Sequence, residues 1–246
     1  MKVSCAFILK LTGLGALDAD EVDSSAEALN QRYLPINGCS AIIEVPVPAN
    51  PTSSNWQEVI DKDDVLKWFK CGIPKYTALY PNIGLFVVSH GATGQVGGLD
   101  GSNLAALIKE FGFQNLRKIS VVACTTGGEK IGKTVTLDQS FFGKLCKGLA
   151  PGLTPMVAAY TGYMTIGSSK SEFKSLHSQN GKQEVAQDEF KKLMSKARKI
   201  VRTKQGMGKN MATCHADAAW KAKQKVAYQY QNGAVQRIDL ATWHDK

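Results

Sequence analysis

The chain has 246 residues, 43% of them hydrophobic and 21% charged, which are the proportions of a folded protein rather than a disordered or fibrous one. Thirty basic residues against 21 acidic ones leave a formal net charge of +9, which favours an anionic partner: nucleic acid, a membrane surface or a polyphosphate. No apolar run reaches the roughly 18–20 residues of a transmembrane helix, and with no repeat, low-complexity tract or linker the expectation is a single domain over 1–246.

The amino-terminal stretch MKVSCAFILKLTGLGALDA has a basic start, an apolar run and small residues near Ala19, the ingredients of a signal peptide. Lys10 interrupts the run, and VSCAFILKL is read instead as a buried strand. Residues 20–23 spell DEVD, a string that resembles a caspase cut site; an exposed acidic loop is the simpler reading. Residues 45–56 hold three prolines and read as a loop. Beyond them, Trp56, Val59, Ile60, Val65, Leu66 and Phe69 keep helical spacing, and Asp61, Asp63 and Asp64 read as a solvated helix face rather than a metal site. The six cysteines include no C-x-x-C pair, and a chain this large does not need disulfides for its core. Free thiols in a reducing compartment are therefore expected.

The middle of the chain is the most legible. NIGLFVVSHG (82–91) is an apolar run ending in Ser-His-Gly, SNLAALIKEFG (102–112) is a helix with Ser102 as its cap and Gly112 as its stop, and LRKISVVAC (116–124) is a second apolar run. Neither run alternates with polar residues, which suits strands buried on both faces of a parallel sheet. A helix over 138–149 and a strand within 154–167 continue the alternation, so the fold class is α/β, a mostly parallel sheet flanked by helices. A basic helix is expected around 184–203, and Asn232-Gly233 between alternating runs predicts a C-terminal β-hairpin.

In such a unit His90 ends the first strand and Cys124 the second, on the same edge of the sheet. Adjacent strands lie about 4.8 Å apart, so an imidazole and a thiol would flank a crevice of substrate width. A thiolate is a nucleophile, and an imidazole can assist its formation and protonate a leaving amine. Gly91 leaves its backbone N–H open to a developing oxyanion. A competing motif overlaps this one: Gly127 to Thr134 spell GGEKIGKT, a match to the phosphate-loop pattern. That loop needs a helix whose first turn carries the Lys and Thr, yet Lys133-Thr134 is followed by VTLDQ, with the expected cap at Asp138.

LFVVSHGATG and LAALIKEFGFQNLRKISVVACTTG together resemble the caspase-like cysteine peptidases, in which one strand ends in His-Gly and the next in a small residue plus Cys. With VAAYTGYMTIG added, the likeness is closest to the self-processing cysteine peptidase domains of large bacterial toxins, over roughly residues 80–167. The resemblance implies a thiol endopeptidase with a His90/Cys124 dyad, oxyanion donors on the backbones of Gly91 and Cys124, and Tyr160, Thr161 and Gly162 along the substrate cleft. The chain departs from the caspase signature Q-A-C-[RQG]-G, having V-A-C-T-T-G instead. The resemblance further implies an effector or toxin component acting on a protein substrate, with no cofactor needed for the chemistry. Inositol hexakisphosphate is its implied activator, a role that the basic run 191–209 has the charge to serve. Nucleic acid is disfavoured, because no aromatic residues interleave with those charges. The alternatives are a nucleotide hydrolase using Gly127–Thr134, or a non-catalytic anion-binding module on the same fold.

Overall fold

The structure, a computed structural model, describes residues 3–12, 19–37, 39–48, 52, 55–123, 126–160, 163–166, 199–202 and 225–239. The first half runs β1 (Cys5–Thr12), α1 (Ala19–Asn37), β2 (Ser40–Pro46), α2 (Trp56–Asp61), α3 (Asp64–Ala78) and β3 (Ile83–Val88). A short hairpin follows, β4 (Gly91–Ala92) and β5 (Gln95–Val96), then α4 (Gly101–Glu110), β6 (Leu116–Val122), α5 (Phe141–Leu149) and β7 (Met156–Tyr160). The remaining strands are β8 (Tyr163–Ile166), β9 (Lys199–Arg202), β10 (Lys225–Gln231) and β11 (Ala234–Arg237).

Seven strands form one sheet in the order β11-β10-β7-β6-β3-β1-β2. Its five strands from β7 to β2 are parallel, and β10 joins β7 antiparallel, with β11 closing the expected C-terminal hairpin through Asn232 and Gly233, both at positive φ. The α/β expectation holds. The first stretch is a strand, as its apolar run suggested, and it lies between β2 and β3. All six residues of β3 are buried. The reason is visible in the packing: Phe7, Leu9, Leu85, Val87, Ile119 and Val121 face α2 to α5, whereas Ala6, Ile8, Phe86, Val88 and Val122 face Val22, Ala26 and Leu29 of α1. A strand covered on both faces has no polar side to show.

Local chemistry moved several boundaries. The helical run from Trp56 breaks into α2 and α3, because the Asp63 carboxylate accepts the N–H groups of Val65 and Leu66 and starts a new helix. Asp100, not Ser102, caps α4 by the same device, and Ser140 rather than Asp138 caps α5. The DEVD string is not a loop: residues 20–23 lie in α1, and the Asp23 carboxylate pairs with the Lys10 ammonium at 2.8 Å. The basic helix expected around 184–203 is contradicted at its carboxyl end, where Lys199–Arg202 is a strand paired antiparallel with β8; the other positions of that run lie outside the described residues.

The expectation of free thiols throughout is corrected as well. Cys5 and Cys39 are joined by a disulfide. The β1–β2 register pairs Ala6 with Ser40, so the preceding residues of the two strands face each other, a proximity that sequence spacing does not reveal. Cys71 is free and exposed on α3, and Cys146 is free and buried in α5. No helix among the described residues is long and apolar enough to cross a membrane.

Candidate functional site

The β3–β6 register pairs Val88 with Val122, so both strands end at the same level. Beyond Val88, Ser89 is buried and fixed twice: its hydroxyl donates to the Leu11 carbonyl at 3.2 Å, and its N–H approaches the Val122 carbonyl at 3.5 Å. His90 comes next, half-buried, at the point where the chain leaves the sheet. Its carbonyl accepts the Gly97 N–H at 2.7 Å, which closes the β4–β5 hairpin back onto it. Gly91 opens that hairpin and pairs with Val96. Gly94 turns it at φ +77, a conformation that disfavours any side chain.

On the neighbouring strand Ala123 is buried just past Val122. Cys124 lies outside the described residues, as do Thr161 and Gly162. From Thr126 onward the chain is tied down. Thr126 is fully buried; its hydroxyl donates to the Gln95 carbonyl at 2.8 Å, and its own carbonyl accepts the Gly94 N–H at 3.2 Å. Gly127 then donates its N–H to the Tyr160 carbonyl at 2.8 Å. These bonds clasp the hairpin after His90 to the segment after Cys124, and that segment to the end of β7. Nothing in the sequence flags Thr126, since its partners are distant in the chain.

Glu129 extends the clasp. One carboxylate oxygen accepts the Phe141 N–H at 2.7 Å, at the first residue of α5, where an anion meets the positive end of the helix. The other oxygen sits 2.7 Å from where a Cβ on Gly94 would be, so a side chain there would displace the Glu129 carboxylate. The run Gly127–Thr134 thus has a structural use. Lys133 and Thr134 direct their N–H groups to the Lys130 carbonyl in a turn, and α5 begins only at Phe141, so no helix starts at the Lys-Thr pair as a phosphate loop requires.

Tyr160 ends β7 with its side chain buried on the α1 face of the sheet, beside Phe86, Val88 and Val122, and the Lys225 ammonium lies 5.8 Å from its ring centre. Its backbone, rather than its ring, is what meets the loop after Cys124. On the same face Lys10, level with Val88 in the register, pairs with Asp23 at 2.8 Å and Glu44 at 2.6 Å. Burial alone would lower its pKa, but the hydrogen bonds and charges of the two carboxylates outweigh that and hold it above the usual lysine value.

Three of the four described cysteines are unsuited to nucleophilic work. Cys5 and Cys39 are bonded to each other, and burial pushes the Cys146 thiol up to about 12. Cys71 is free and exposed on α3. Cys214, His177, His215 and His244 lie outside the described residues. Among the described residues no three His, Cys, Asp or Glu side chains gather as a metal site. No family model matches the chain, and no curated protein matches it either.

Proposed function

We propose that the chain is a cysteine endopeptidase whose His90 and Cys124 form a catalytic dyad at the carboxyl edge of the sheet. The observation that supports this best is the paired register of Val88 with Val122, with the Thr126 clasp just beyond it. His90 follows the first of those residues by two positions and Cys124 follows the second by two. An open parallel sheet binds ligands at this edge, and the two residue types are those of thiol acyl transfer.

The Cys124 thiolate attacks the scissile carbonyl carbon, and the oxyanion is held by the backbone N–H groups of Gly91 and Cys124. The His90 imidazolium gives its proton to the leaving nitrogen as the C–N bond breaks. Water, deprotonated by His90, then attacks the thioester, releasing the new carboxyl terminus and restoring the thiol. In this reading Tyr160, Thr161 and Gly162 line the cleft with backbone groups. Substrates are proteins, and the basic residues of 191–209 bind an anionic activator such as inositol hexakisphosphate. The role of an effector or toxin component that processes itself belongs to the same reading.

The test compares the protein with its Cys124→Ala variant in cell lysate, with and without inositol hexakisphosphate, by mass spectrometry of new protein amino termini. Cleavage is expected to fall at least about a thousandfold in the variant, as removal of a nucleophile does. Identical sets of termini from both proteins would overturn the reading.

A further inference from the structure

The proposed oxyanion donor on Gly91 belongs to a hairpin too small to hold itself. β4 and β5 are two residues each, and so short a pair is not stable alone in water. Gly97 donates its N–H to the His90 carbonyl at 2.7 Å, which makes His90 and Gly97 a hydrogen-bonded pair of that ladder. Such pairs alternate with non-bonded ones, and Gly91 opposite Val96 is the next position. The Gly91 N–H is therefore directed out of the hairpin, and where it points depends on how the hairpin is tilted.

Both ends of the hairpin lead to α5. From its base the chain runs through Leu99 to Asp100, which caps α4 and pairs with Lys144 of α5 at 2.8 Å. Gly101, the first residue of α4, is pressed on α5 so closely that a Cβ would lie 2.1 Å from the Phe141 carbonyl oxygen. At the tip, Glu129 lies against Gly94 with one carboxylate oxygen and accepts the N–H of the same Phe141 with the other, at 2.7 Å. Phe141 is buried and fixed in the core. Hairpin, α4, α5 and Glu129 thus close a ring. The Thr126 bonds tie the tip to another loop, whereas Glu129 ties it to a helix.

We propose that Glu129 is a positioning residue for the oxyanion: it braces the hairpin against α5 and so fixes the direction of the Gly91 N–H. The assignment rests on the peptidase reading and adds to it a residue that acts through the hairpin. Its loss affects attack on a carbonyl in particular. When a thiolate adds to a carbonyl carbon, the π electrons move onto oxygen, and a misdirected N–H no longer meets that charge. When the same thiolate displaces iodide from iodoacetamide, no oxyanion forms and the tilt of the hairpin has no effect.

The experiment measures both reactions on the full-length protein. p-Nitrophenyl acetate is the acyl donor: sulfur bonds to its carbonyl carbon, the ester C–O bond breaks, and p-nitrophenolate leaves with the electron pair. The rate with Cys124→Ala, which records all other nucleophiles, is subtracted. Iodoacetamide is the alkylating probe, read at the Cys124 peptide by mass spectrometry. Glu129→Ala should slow acylation about tenfold or more, since misplacement by an ångström costs up to about a hundredfold. Alkylation should stay within about twofold, because the Thr126 bonds remain. Glu129→Gln keeps an oxygen for the Phe141 N–H and should restore acylation to within about threefold of the parent. Gly94→Ala, which displaces the carboxylate from the opposite side, should slow acylation of the parent but add less than about twofold to Glu129→Ala. If Glu129→Ala does not melt cooperatively, Gly94→Ala carries the test through the same two rates.

Acylation of the parent no faster than that of Cys124→Ala would overturn the peptidase reading, and this assignment with it. Acylation above that background but unchanged in Glu129→Ala would overturn the assignment alone. So would acylation and alkylation that fall together, the mark of a generally loosened site.

Discussion

At the carboxyl ends of β3 and β6 the chain is held by hydrogen bonds that are short-range in space and long-range in sequence: Ser89 to Leu11, Thr126 to Gln95, Gly127 to Tyr160, Glu129 to Phe141. At the amino ends of β1 and β2 it is held by a covalent bond, Cys5 to Cys39, and by aromatic packing of Phe7 against Phe113 and Tyr76. The two ends of one sheet are therefore held by different means. Directional bonds fix loop backbones to within a few tenths of an ångström, which suits acyl-transfer geometry. A crosslink and aromatic packing fix the strands against each other and leave the loop backbones without such directional ties.

The disulfide gives the strongest way to break this contrast. Replacing both Cys5 and Cys39 by alanine should lower the unfolding free energy by about 2–4 kcal/mol, from the loop that the bond closes in the unfolded chain. Urea denaturation without reductant reads the loss; equal stability would mean that the amino end does not depend on the bond.

Thr126 sharpens the other side. Thr126→Val keeps the shape but strands the Gln95 carbonyl, at an expected cost of about 1 kcal/mol. If the clasp positions the dyad, the pH midpoint for alkylation of Cys124 by iodoacetamide should also move towards the ordinary thiol value near 8.5, and Thr126→Ser should restore it. A profile unmoved by Thr126→Val would separate the clasp from the dyad, while an ordinary profile in the parent protein would count against the dyad itself.

The smallest effect concerns Lys10, which pins α1 to the sheet through Asp23 and β2 through Glu44. Its folded pKa is raised, so its contribution is complete below the unfolded value of 10.5 and is lost as pH rises through the folded value. The difference in urea midpoint between the parent protein and Lys10→Met should therefore be constant up to about pH 9 and shrink above 10.5. A difference that persists at high pH would assign Lys10 a packing role through its stem rather than a charge role.

Sequence reading found what is encoded locally. Uninterrupted apolar runs marked the buried strands, and Asn232-Gly233 marked the last hairpin. Helix caps slipped by two residues where two capping residues compete, as Asp100 and Ser102 do at α4 and Asp138 and Ser140 at α5. What could not be read is whatever depends on pairing between distant segments. The Cys5–Cys39 bond is obvious only once β1 and β2 are in register, and Thr126 gains its meaning only from a hairpin thirty-one residues earlier. DEVD shows the reverse error: a string that suggests a processing site is the start of a helix whose Asp23 is engaged by a lysine in the sheet.

The pairing of Tyr160 with Lys225 carries one more consequence. The chain departs from the sheet at the first and rejoins it at the second, so residues 161–224 form an excursion whose two ends are already side by side. Within that span β8 and β9 pair with each other rather than with the seven-stranded sheet. The register of β7 against β10 is thus set by strand pairing, and the sheet that carries His90 does not depend on the length of chain between them.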